Sequence, residues 1–251
     1  MKNLLIDIGN SDIKSAEGTL SGIRISGLKR FPYEKKSFKK DFIEFINKTN
    51  VSSGIKNIGI SSLDSKNDLF IKSAFRKFTG RDPFFIKINS RLPVKISYSP
   101  TLGTDRICSA AAAERIFPGG NVLIIDFGTA TTYTFVSKGI LKGGFITPGI
   151  ATAINSLHEK AKLIKVHPVF PDKLINNNTE LNIQSGVLYQ SLYFTEGAVA
   201  EMKKEYKDLK VIATGGFCGL IGKKTDQFDV VDKELVLKGI NIIIQYNEDN
   251  N

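Results

Sequence analysis

The sequence predicts an α/β protein built of two duplicated lobes, and three observations carry that prediction. Short β-branched apolar runs alternate with segments whose apolar residues recur at three- and four-residue spacing, the pattern of strands and helices in layers. The stretch "LLIDIGNSDIK" at residues 4–14 returns as "VLIIDFGTATTYTF" at 122–135: a strand, Asp-X-Gly, a small polar turn and a second strand. The strongest mid-chain break, Pro118-Gly119-Gly120, falls between the two copies. The lobes are therefore expected at 1–118 and 119–251, facing each other across a cleft. No short-period repeat is present, so a whole lobe is duplicated rather than a solenoid unit.

Taken in order, the first lobe opens with a strand at 3–8 that closes in Gly9-Asn10-Ser11, and Lys14 falls on the strand that follows. A helix is expected at 41–48, a strand at 55–60 ("IKNIGI"), a helix at 67–78, a strand at 84–88 ("FFIKI") and an alanine-rich helix at 105–117. The second lobe repeats the opening with a strand at 122–127 and a hairpin-like pair at 131–137 and 140–146. Helices at 150–164 and 185–206, a strand at 211–213 and a helix at 232–245 complete it.

Composition narrows the function classes. With 251 residues, 41% hydrophobic and 24% charged, the chain has material for a sizeable core and no bias toward disorder. Only three apolar residues separate Asn3 from Asp7, fewer than a signal peptide needs, and no run approaches a membrane span. A cytoplasmic protein with no membrane partner is expected. Two cysteines, Cys108 and Cys218, and two histidines, His158 and His167, make no zinc pattern. The net charge of +10 is spread along the chain, densest at 28–40, with no nucleic-acid module around it. That run reads as a solvated face, and no nucleic-acid partner is expected.

The turns carry the chemistry. After Asp7, the small residues Gly9, Asn10 and Ser11 can offer backbone N–H groups to phosphate oxygens, and Lys14 adds a point charge. "DFGTATT" supplies Asp126, Gly128, Thr129, Thr131 and Thr132 in the same roles. Two carboxylates suit Mg²⁺, which keeps most of its waters in nucleotide sites and takes one or two carboxylates with phosphate oxygens. One Asp-X-Gly alone reads better as a plain hairpin turn; its repetition in both lobes reverses that balance. At 211–220, "VIATGGFCGL" runs a strand into Thr214-Gly215-Gly216, where a nucleotide can approach the backbone, although a tight structural turn explains the glycines equally well. Neither a Walker A sequence nor a G-x-G-x-x-G is present. Gly103-Thr104 leads into Asp105-Arg106 at a helix start; capping explains Asp105, whereas Arg106 is placed to hold a carboxylate.

"DIGNS" with Lys14, "GTDR" at 103–106, "DFGTATT", "GGFITPG" at 143–149 and "TGG" at 214–216, in this order, resemble the type III pantothenate kinases of the acetate and sugar kinase, heat-shock chaperone and actin superfamily. The resemblance runs from residue 4 to about 247 and includes "ISSL" at 60–63. It implies two ribonuclease-H-like lobes, ATP as phosphoryl donor, Mg²⁺, a monovalent cation (K⁺ or NH₄⁺), pantothenate as acceptor and a homodimer. Carried across, Asp7 would face Mg²⁺, and Gly9, Asn10, Ser11 and Lys14 the phosphates. Asp126 would hold the monovalent cation, while Gly128, Thr129, Thr131, Gly215 and Gly216 contact ATP. Asp105 is implied as general base, with Tyr98, Gly103, Thr104, Arg106 and, across the dimer, Thr179 on the substrate. Three departures stand out. Thr134 replaces an aspartate usual in the family, the segment from Tyr98 to Gly103 is about two residues short, and "LHEKAKLIKV" at 157–166 replaces a Thr-Ala-x-Leu-Pro run. Thr134 keeps one alternative open, a non-catalytic ATP-binding accessory protein of the same fold.

Overall fold

A computed structural model describes residues 1–49, 54–63 and 65–248. The chain divides into two compact units, Met1–Ile116 together with the segment from Glu234 onward, and Phe117–Lys233. In the first unit lie β1 (Lys2–Ile8), β2 (Asp12–Gly18), β3 (Ile25–Pro32), α1 (Phe38–Thr49), β4 (Ile55–Ser62), α2 (Asp68–Thr79), β5 (Phe84–Phe85), β6 (Lys95–Ile96) and α3 (Thr104–Ile116). The second holds β7 (Asn121–Phe127), β8 (Ala130–Ser137), β9 (Ile140–Pro148), α4 (Ile150–Ala161), α5 (Thr179–Glu205), β10 (Lys210–Thr214), α6 (Cys218–Gly222) and β11 (Val230–Val231). The last helix, α7 (Leu235–Glu248), belongs to the first unit.

The two units repeat one strand order. In the first it is β3-β2-β1-β4-β5, with β1 antiparallel to β2 and parallel to β4. In the second, β9-β8-β7-β10-β11 reproduces it, with β7 antiparallel to β8 and parallel to β10. The repeated sequence stretch thus occupies the central strand and its hairpin partner in each sheet.

Strand β1 is buried from Asn3 to Ile8 because both of its faces are covered. Leu4, Ile6 and Ile8 join a core with Phe42, Phe45 and Phe75 of α1 and α2. On the other face Asn3 Nδ2 donates to Asn241 Oδ1 of α7 at 2.9 Å, and Ile240 and Ile244 of the same helix lie over Gly59 of β4. In the second unit Leu123, Ile125 and Phe127 of β7 pack with Val187, Leu188 and Leu192 of α5, and the Tyr133 and Thr195 hydroxyls pair at 2.8 Å.

The structure differs from expectation at four places. Residues 235–248 were expected in the second lobe, yet α7 packs on α3 and the first sheet, fixed by Asn241, whose amide also donates to the carbonyls of Thr19 and Gly22. The chain passes between units at 116–117, just ahead of the expected break. The strand expected at 84–88 shrinks to two residues. Helix α5 also begins at Thr179 rather than 185, because Asn178 caps it by accepting from the Leu181 amide at 2.9 Å.

Candidate active site

Asp7 stands at the carboxyl end of β1, and pairing decides its neighbours. Across the antiparallel ladder it faces Lys14, and across the parallel one Ser61, so all three share one face of the sheet. Asp7 is 5% exposed; Lys14 Nζ lies 3.8 Å from its Oδ2, while its Oδ1 is buried without a hydrogen-bond partner. Burial raises its pKa to about 6 against the pull of Lys14, with further upward contributions from Asp105 and Asp12 and a smaller lowering by the Ser61 hydroxyl. An orphaned, buried carboxylate oxygen at a strand end fits a cation.

Asp105 reaches the same neighbourhood from α3. The Thr104 hydroxyl lies 3.0 Å from that of Ser61 and donates to the Ser62 carbonyl at 3.1 Å, tying the start of α3 to the end of β4. Asp105 Oδ1 accepts from the Arg106 amide at 2.8 Å, and a Cβ on Gly103 would overlap that oxygen. Burial raises the Asp105 pKa, opposed by the Arg106 amide and by the charges of Arg106 and Lys14. Arg106 is buried, and its guanidinium sits 5.1 Å from the centre of the half-exposed Tyr98 ring. Four neighbouring groups of the first unit can therefore manage charge and protons: a buried carboxylate with a free oxygen, a lysine, a second carboxylate of raised pKa and a stacked arginine.

The second unit places Asp126 as the first places Asp7. Asp126 pairs with Thr132 across the antiparallel ladder and Thr214 across the parallel one. Gly215 follows with φ +88°, and a Cβ there would overlap Asp126 Oδ1 and crowd the Phe127 backbone. The Thr129 carbonyl accepts from the Gly149 amide at 3.2 Å and the Thr152 hydroxyl at 2.5 Å, fixing the turn onto α4. Thr131 is buried, Gly128 is half-buried and Gly216 is exposed, while Thr179 stands exposed at the first position of α5.

Comparison with known proteins shows the family. The sequence signature of the type III pantothenate kinases covers residues 3–201. A type III pantothenate kinase of Bifidobacterium longum subsp. infantis is 30% identical over 97% of this chain and 98% of its own length. The chain belongs to the type III pantothenate kinase family. A second member, from Dehalococcoides mccartyi, is 38% identical over 64% of this chain and 63% of its own. Among solved structures, a putative Baf family transcriptional activator from Campylobacter jejuni superimposes with a TM-score of 0.61 at 22% identity, covering 98% of this chain and 99% of its own. An inorganic polyphosphate/ATP-glucomannokinase from Arthrobacter does so at 0.51 and 13% identity, covering 99% of both chains. These likenesses share the two-lobed actin-like ATPase fold.

For this type III pantothenate kinase family member, the first unit brings together Asp7, Lys14, Thr104, Asp105, Arg106 and Tyr98 of the expected residues. Gly9, Asn10 and Ser11 form the adjoining turn. Ser61 and Cys108 escaped the residue-by-residue reading. Ser61 links Asp7 to α3, and the Cys108 thiol is pushed well up by burial, then by the charges of Asp7 and Asp105. Only strand register places Ser61 beside Asp7; the signal was the polar pair closing an apolar strand in "ISSL". Thr134 lies inside β8, buried and opposite Ile124, two residues inward from the Thr132–Asp126 pair.

Proposed function

We propose that the chain transfers the γ-phosphoryl group of ATP to the primary hydroxyl of pantothenate, giving 4′-phosphopantothenate, the first step of coenzyme A biosynthesis. The observation that carries this reading is the pair of buried carboxylates, Asp7 and Asp105, each raised in pKa and each under the influence of Lys14. Asp105 is the general base. It accepts the hydroxyl proton as the alkoxide oxygen bonds to the γ-phosphorus and the bridging oxygen leaves with ADP. A base whose pKa is drawn up toward the working pH suits that task.

Lys14 and the turn of Gly9, Asn10 and Ser11 hold phosphate oxygens, and Arg106, stacked by Tyr98, pairs with the pantothenate carboxylate beside Gly103 and Thr104. Gly128, Thr129, Thr131, Gly215 and Gly216 serve ATP from the second unit. Asp7 would hold Mg²⁺ through its unpartnered oxygen, and Asp126 a K⁺ or NH₄⁺ ion. When bound, these cations neutralise charge on the phosphates. The exposed Tyr193 and Phe194 on α5, the helix that Thr179 begins, support a homodimer to which Thr179 contributes across the interface. Chemistry of this kind belongs in the cytoplasm.

ATP consumption measured with and without pantothenate, each with and without K⁺, tests the reading. Pantothenate-dependent ADP formation is the expected result, and pantothenate-independent turnover overturns it. Thr134 favours the second reading, a non-catalytic ATP-binding accessory, which predicts ATP binding with no turnover under any of these conditions.

A further inference from the structure

A cavity of about 370 Å³ lies in the first unit at the carboxyl ends of β1 and β4, walled by the paired Ile8 and Ser62, which alternate in face with Asp7 and Ser61, and sharing Gly9 and Asn10 with the phosphate turn. Ligands in α/β sheets gather at such strand ends. Its wall is of two kinds. Lys35 and Lys66 bring positive charge and Asn10 and Asn67 bring amides, while Tyr33 and Phe38 form an apolar side with their rings edge-on at 5.1 Å. No carboxylate lines it among the described residues.

We propose that this cavity is a second binding site, for a small phosphate monoester carrying a short apolar body. The lysines would meet the phosphate as point charges, and the two rings would cover the apolar part. The geometry also ties occupancy to the phosphate turn. Tyr33 donates its hydroxyl to the Gly9 carbonyl at 2.6 Å and its amide to the Ser11 carbonyl at 3.3 Å, so a ligand pressed on that ring bears on the turn. The product of the proposed reaction is itself a phosphate monoester, with a gem-dimethyl group as the apolar part next to its ester carbon. In that respect the inference rests on the proposed function and makes the cavity a product-sensing site; binding itself needs no turnover.

The test is calorimetric titration of the full-length protein with phenyl phosphate, without nucleotide. Lys35→Gln/Lys66→Gln is expected to weaken binding roughly tenfold or more, with pantothenate-dependent ATP turnover unchanged, while Lys35→Arg/Lys66→Arg keeps binding. Phenylacetate is expected to bind much more weakly than phenyl phosphate. The inference is overturned if the glutamine pair leaves binding intact, if Lys14→Gln alone abolishes it, or if phenylacetate binds equally well. Loss of pantothenate-dependent turnover with phenyl phosphate binding intact counts against the proposed reaction and leaves this site standing.

Discussion

At Asp7, burial and ionisation oppose each other, and burial wins by enough to bring the pKa to about 6. The sign for stability follows. Between about 3.8 and 6 the native protein holds a proton that the unfolded chain has lost, so this group's contribution falls as pH rises through that window. Asp7→Asn is expected to flatten that part of the stability profile of the metal-free protein. It should also stabilise the fold at pH 7, by up to about 3 kcal/mol on the conversion of pKa to free energy, while abolishing turnover. Urea melts at pH 4 and pH 7 check this: an unchanged difference between variant and wild type across the two pH values contradicts it. Gly215 is a second residue-scale test, because its left-handed backbone and the overlap with Asp126 both exclude a side chain. Gly215→Ala is expected to lower stability by at least about 1 kcal/mol and weaken ATP binding, read by thermal melting and nucleotide titration.

At the scale of elements, the close approach of α7 to α3 sets where Asp105 stands. A Cβ on Gly239 would overlap the backbone carbonyl of Cys108, three residues beyond Asp105 on α3. Gly59 differs, since its Cβ would meet side-chain rather than backbone atoms, the Cδ1 end of Ile244 first and then Cγ2 of Ile240. Gly239→Ala is therefore expected to cost about 1–3 kcal/mol and to reduce kcat more than the KM for ATP, with Gly59→Ala milder in both. Steady-state kinetics beside melting curves separate the two variants, and equal effects contradict the account. The same elements show what the sequence discloses. The strands β1 and β7 were legible as short apolar runs closed by a turn, and the other long helices by their period, whereas α3, buried at every position from Arg106 to Ala113, was legible by its run of alanines. Strand β3, "ISGLKRFP", was not, since it is largely exposed and carries Lys29 and Arg30. The early start of α5 depended on one capping asparagine. Asp7, Asp105 and Asp126 were visible as residues of the right type at turns, whereas Ser61 became a neighbour of Asp7 only through parallel register, a long-range fact that local pattern does not encode.

At the scale of the molecule, the first unit is closed by α7. Leu5 is fully buried, and Asn3 and Gly59 lie under α7; Asn57 donates to Asn3 Oδ1 at 2.9 Å and to Glu248 Oε1 at 2.9 Å. Removal of residues 235–251 is accordingly expected to expose the face of β1 opposite α1 and α2, with rapid amide exchange in residues 2–8 and loss of soluble protein. Protection of those amides in the truncated protein, equal to the full chain's, contradicts this assignment. The carboxylate at the start of α3 is the centre of the proposed reaction. The most direct measurement is the rate of 4′-phosphopantothenate formation by wild type and Asp105→Asn, alongside ATP binding to each. The account predicts a fall in rate of about 10²–10⁴ with ATP affinity kept. An Asp105→Asn protein that turns over like wild type contradicts it.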